Sequence, residues 1–148
     1  LRTEDDRGPV RAWRLVGGGL TQRGQDIYNS EAEIAEVLMA KAAILAGLQT
    51  LLETRGATVD DLDCLILAGG FAQYINLERA RAIGLLPHVP DEKIEVIGNG
   101  SLAGAYLTLV DDTVCRAYRD IIAKPSTVLL NLQPSFQDFY IDGLMLEG

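Results

Sequence analysis

The chain has 148 residues, 48% of them apolar, and 13 Lys and Arg against 21 Asp and Glu give a formal charge of −8. That length and apolar content suit one globular domain with its own core. The basic residues form no cluster of the kind that phosphate backbones require, no apolar run approaches the roughly 20 residues that cross a bilayer, and no signal-peptide pattern opens the chain, so neither nucleic acid nor membrane is an expected partner.

The first segment, Leu1 to Gly24, is polar and then short-stranded. "VRAWRLV" alternates weakly as a strand does, and "GGGLTQRG" after it reads as a turn. Those glycines lack the lysine and hydroxyl that end a Walker loop, so no phosphate role is assigned to them. The clearest helix follows. Ser30 and Glu33 form a capping box, apolar residues recur at Ile34, Val37, Leu38, Ile44, Leu45, Leu48, Leu51 and Leu52, and Gly56 sits where a C-terminal cap belongs. Lys41 lies on that stripe and has two readings: a stem that snorkels to the rim of the core, or a contact to a bound anion.

The strand "LDCLILA" comes next, with Cys64 to Leu67 reading as buried on both faces, and it ends on Gly69-Gly70. Asn76 then caps a helix in "NLERARAIGLL", and a Pro-rich link leads to a second strand, "KIEVI", ended by Gly98. A helix runs from about Asn99 to Val110, Asp111 and Asp112 break it, and "TVCRAYRDIIA" resumes the helical pattern. "STVLLNL" reads as a last strand and "PSFQDFYIDGLML" as a short helix opened by Pro134. Strands alternating with helices imply an α/β fold, a layered, largely parallel or mixed sheet with flanking helices. Cys64 and Cys115 sit in apolar patterns and are expected as buried thiols of a reducing, cytoplasmic compartment. Two cysteines are too few for an iron–sulfur cluster, which usually takes four, and a single histidine supplies no zinc site.

Both glycine sites fall at strand carboxyl ends, where open α/β sheets bind ligands. At Gly69-Gly70, the glycines serve either a tight turn or the close approach of a phosphate or sugar to the main chain. "GNGSLAG" is a loose variant of the dinucleotide fingerprint, but no second strand with an acidic end follows it, so NAD is not expected. Its small residues Gly100, Ala103 and Gly104 read as a face on which another helix packs.

Taken together, "LDCLILAGGFAQYI" resembles the adenosine motif of the superfamily of acetate and sugar kinases, Hsp70 and actin, and "IEVIGNGSLAGAYLTL" resembles its second connecting motif at the interlobe hinge. More narrowly, "AEIAEVLMAKAAILAGLQTLL", "AGGFAQYINLERARAIGLLP", "IGNGSLAGAYL" and "PSFQDFYIDGLML", in this order, resemble the reductive activators of corrinoid proteins, from about Tyr28 to Met145. The resemblance implies the second lobe of an actin-like ATPase fold, with residues 1–148 as one domain, a C-terminal lobe fragment of a larger protein. It implies ATP and Mg2+ as cofactors, with the magnesium ligands upstream, and a [2Fe–2S] cluster in a missing N-terminal region. The implied partner is a corrinoid methyl-transfer protein whose cobalt is returned to Co(I), with a homodimer as a further expectation. Carried onto this sequence, Gly69 and Gly70 would receive the ribose and α-phosphate of ATP, Phe71 would begin the following turn of this nucleotide-binding stretch, Gln73 would offer a polar contact, and Asn99 and Ser101 would line the same cleft. For Asn99 and Ser101 a helix-capping role stands beside that one. No catalytic residue is placed here, and the fragment alone is expected to hydrolyse ATP negligibly. Two other classes share the pattern: an activator ATPase for another low-potential or radical enzyme, and a module of the same fold that only packs or dimerises.

Overall fold

Three antiparallel strands, β1 (Arg2–Asp5), β2 (Gly8–Val16) and β3 (Ile27–Ser30), open the computed structural model, which describes residues 2–5 and 8–146. The order is β1-β2-β3, and Ala12 pairs with Ser30 at the end of β3. The "GGGLTQRG" turn joins β2 to β3, as its glycines predict. Gly18 cannot carry a side chain there, because a Cβ would lie 2.4 Å from the Gly24 carbonyl oxygen. Asp26 closes the turn by accepting from the Gly18 N–H at 2.6 Å and the Tyr28 hydroxyl at 3.0 Å. Those two donors, with Arg14, hold its carboxyl below the ordinary carboxylate range.

Helix α1 (Glu31–Thr54) starts on the predicted capping box: the Glu33 N–H donates to Ser30 Oγ, and the Ser30 N–H donates back to the Glu33 carboxylate. It ends at Gly56, φ 64°, where the Gly56 N–H returns to Glu53 and the Ala57 N–H to Leu52. The face it buries is not the stripe of large residues. Lys41, Ala42, Ala46, Gly47 and Thr50 are buried, whereas Val37, Ile44 and Leu51 are exposed. Small residues face inward because α6 (Pro134–Gly143) lies close against α1, the most extensive helix contact in the fold. Lys41 does not snorkel to the rim of the core: it is 2% exposed, and its Nζ donates to the Met145 carbonyl at 2.6 Å. By length and composition α1 could cross a membrane, yet here it is the central packing helix of the domain.

Beyond α1, β4 (Leu65–Ala68) pairs in parallel with β5 (Ile94–Gly98), and α2 (Gly70–Gln73) and α3 (Leu77–Ala82) lie between them in the chain. Asn76 caps α3 as expected, its side chain accepting from the Arg79 N–H. The expectation of a strand buried on both faces fails. Exposure alternates along β4, Ile66 is 57% exposed and Cys64 is exposed, because among the described elements only β5 and the short α2 pack extensively on β4 and one face is left bare. Cys115 is half-buried, its thiol donating to the Thr108 carbonyl at 3.3 Å.

Helix α4 (Gly100–Val110) meets α5 (Asp112–Ile122) at Asp111, whose carboxylate accepts from the Thr113 hydroxyl and N–H. These two bonds lower the Asp111 pKa. No strand forms over "STVLLNL". That stretch is irregular, with a 3-10 turn at Leu130–Leu132, and its apolar residues are used by packing instead: Leu130 touches α1 beside Gly47. Nor does another described helix cover the small-residue face of α4, since a Cβ on Gly104 would meet nothing within 4 Å. Gly104→Leu is therefore expected to raise the stability of this domain slightly in a thermal melt, by about 0.5–1 kcal/mol, as a better helix former in an uncovered helix interior. A loss of several degrees would show that the face is covered.

Candidate functional site

The parallel pair β4–β5 brings the two glycine sites together. Its register slips one residue between Leu67 and Ala68, so Ala68 stands opposite Gly98 and Ile97 is left over as a bulge. The chain then turns at both carboxyl ends through backbone that only glycine adopts readily. Gly69 has φ 102° and ψ 163°, and Gly98 has φ 62°. The Gly69 N–H donates to the Gly98 carbonyl at 2.5 Å, which fastens one turn to the other. The conformational demand thus falls on Gly69 and not on Gly70, which opens α2 with ordinary φ.

What surrounds the turns is equally specific. Side chains built on Gly69 or Gly70 would meet nothing within 4 Å, so the main chain there faces open space. Phe71 is 78% exposed and Tyr74, just past α2, 86% exposed. Gln73 lies on the same short helix, with its Oε1 3.9 Å from where a Cβ on Gly98 would stand. Gly69, Gly70, Phe71 and Gln73 are thus contiguous on one turn, and Gln73 reaches toward the second. Asn99 takes the capping role, its Oδ1 accepting from the Leu102 N–H at 3.0 Å. Ser101 is exposed in the first turn of α4. Tyr74 and the bulge at Ile97 escape a reading of the sequence: an exposed aromatic among apolar neighbours looks like core, and a bulge has no composition of its own.

An apolar hollow adjoins the glycine pair. Ile66 and Ala68 of β4, Phe71 and Ala72 of α2, Ile44 of α1 and Leu85 line it. Charged side chains are absent from its walls. Among the described residues no group of three or more His, Cys, Asp or Glu is placed to hold a metal ion. What the site offers is main-chain donors at the start of α2, an apolar wall and a few amide and hydroxyl groups. That set suits a ligand with one flat apolar part and one anionic part.

Comparison with known proteins agrees with this architecture. A family described as the C-terminal domain of RACo, the ASKHA domain, matches residues 3–148. The corrinoid activation enzyme RamQ of Eubacterium limosum is 31% identical over 140 residues, which are 95% of this chain and 24% of that protein. The [Co(II) methylated amine-specific corrinoid protein] reductase of Methanosarcina barkeri is 29% identical over 138 residues, 90% of this chain and 25% of that protein. Among solved structures, a reductive activator for corrinoid, iron–sulfur protein superposes with a TM-score of 0.85 at 31% identity, over 98% of this chain and 23% of that one. The chain therefore spans about a quarter of the length of the relatives it matches. With the family match running through the strand-ended glycine turns and on through α6, the chain belongs to the RACo C-terminal, or ASKHA, domain family.

Proposed function

We propose that this chain is the nucleotide-binding lobe of an ATP-dependent reductive activator that restores Co(I) in corrinoid methyl-transfer proteins. The observation that carries the reading is the bare, fastened backbone at Gly69-Gly70 and Gly98, open to solvent at the carboxyl end of a parallel strand pair. Membership of the RACo C-terminal family and the names of the relatives support the same role.

In this reading the ribose and α-phosphate of ATP rest against the main chain of Gly69 and Gly70, where a Cβ would intrude. Phe71 supplies an apolar surface and Gln73 a polar contact. Asn99 spends its carbonyl oxygen on capping α4 and keeps its NH2 for the ligand, with Ser101 beside it. Hydrolysis of ATP held there would supply the free energy that makes electron transfer to cobalt favourable. The chain's own residues bind and orient it and exclude water along the Phe71 side. We place the magnesium ligands and the [2Fe–2S] cluster in parts of the polypeptide beyond the described residues. The corrinoid methyl-transfer protein is the proposed partner, a homodimer the proposed assembly and the cytoplasm the proposed compartment.

One experiment tests the reading. The full-length protein is titrated with ATP. Then, with an excess of a low-potential one-electron reductant supplying the electrons, conversion of Co(II) to Co(I) on its corrinoid partner is followed by visible absorbance with and without the nucleotide. Saturable binding together with ATP-dependent Co(I) formation is the expected result. Saturable binding without cobalt reduction would instead indicate an activator of another low-potential enzyme. No saturable binding at all would leave only a packing module.

A further inference from the structure

Lys41 is the only charged side chain that is buried among the described residues, and the proposed function does not use it. Its Nζ donates to the Met145 carbonyl, two residues past the end of α6. The same nitrogen lies 3.1 Å from where a Cβ on Gly84 would stand. Gly84, φ 72°, is the turn just beyond α3, and the N–H groups of Leu85 and Leu86 return from it to the Ala80 carbonyl. One ammonium therefore sits where two helices end. The carbonyl ends of helices carry partial negative charge, and the Met145 carbonyl accepts from the ammonium directly, so here a buried cation is met without a carboxylate.

We propose that Lys41 is a joint: it locks the turn after α3 and the tail after α6 into one cooperative unit on α1. The turn it holds supplies Leu85 and Leu86, which line the hollow next to Phe71 and Ala72, so the joint also sets one wall beside the glycine pair. The ammonium lies so near Gly84 that a Cβ there would already crowd it at 3.1 Å, so the larger, planar guanidinium of arginine is not expected to fit in its place. The joint does not depend on what the glycine pair binds.

Native-state hydrogen exchange on the full-length protein tests this. In wild type, the amides of Leu85 and Leu86 and those of Leu144 and Met145 are expected to open together, with the same protection and the same dependence on denaturant. Lys41→Met and Lys41→Arg are each expected to speed exchange at both segments at least tenfold while leaving Leu65–Ala68 unchanged. Separate opening curves in wild type would overturn the proposal, and they decide the matter even if neither variant folds. Unchanged exchange in Lys41→Met, or loosening of the α6 tail alone, would overturn it too. Full rescue by Lys41→Arg would show that charge without fit suffices, which the joint does not allow.

Discussion

Gly70→Val is expected to weaken ATP binding by the full-length protein at least tenfold, about 1.4 kcal/mol, with its circular dichroism unchanged. The fold tolerates the change because Gly70 has ordinary backbone angles and a side chain there meets nothing within 4 Å. The space the valine fills is the space we assign to the ribose and α-phosphate. Gly69→Ala separates this steric effect from a backbone effect. Its φ of 102° with ψ of 163° lies where L residues are strained, at about 1–3 kcal/mol. Moving that peptide would also disturb the N–H that donates to Gly98. Gly69→Ala is therefore expected to lower the melting temperature, and Gly70→Val is not. Isothermal titration calorimetry reads the affinity of both. A folded Gly70→Val protein that binds ATP as wild type does would reduce the glycine pair to a turn and remove the main support for the nucleotide reading.

The parts of the fold that local chemistry determines were legible in the sequence. Ser30 with Glu33, Gly56, Asn76, Asn99 and Asp111 each mark a helix boundary through hydrogen bonds made within a few residues, Pro134 marks one because it has no N–H to leave unpaired in a first turn, and the structure has a boundary at or next to each. Membership of the actin-like superfamily was legible too, because the glycine-ended strands and the small-residue helix stand in a fixed order. What failed depends on partners distant in the chain. "STVLLNL" has a strand's composition, but a strand needs a neighbour, and Leu130 finds α1 instead. The short strand β3 escaped notice because its pairing with β2 is set by the Gly18–Asp26 closure rather than by its four residues. Helical spacing nominated the large residues of α1 as core, whereas close approach of α6 selects the small ones. The site was half legible: two glycines in a row announce a turn, but only the structure shows that Gly69 carries the backbone demand while Gly70 borders open space.

Gly143→Ala is expected to destabilise the domain by about 1–3 kcal/mol, and Gly47→Ala, in the same helix seam, is expected to stabilise it by about 0.5–1 kcal/mol. Both glycines are buried between α1 and its neighbours, so burial alone predicts no difference. The neighbours decide the sign. A Cβ on Gly47 would lie 3.4 Å from Leu130 Cδ1, the tip of a flexible side chain at ordinary contact distance, so the helix gains a better former at little steric cost. A Cβ on Gly143 would lie 3.1 Å from Ala42 Cα and 3.2 Å from Ala42 Cβ, atoms fixed to the α1 backbone. They cannot turn aside, so α6 itself must move outward, away from the Lys41–Met145 bond one turn of α1 helps to hold. At about 2–4 °C per kcal/mol for a domain of this size, differential scanning calorimetry resolves both shifts. A Gly143→Ala protein that melts at or above wild type would mean that the two helices are not in the close contact on which the packing of this domain rests.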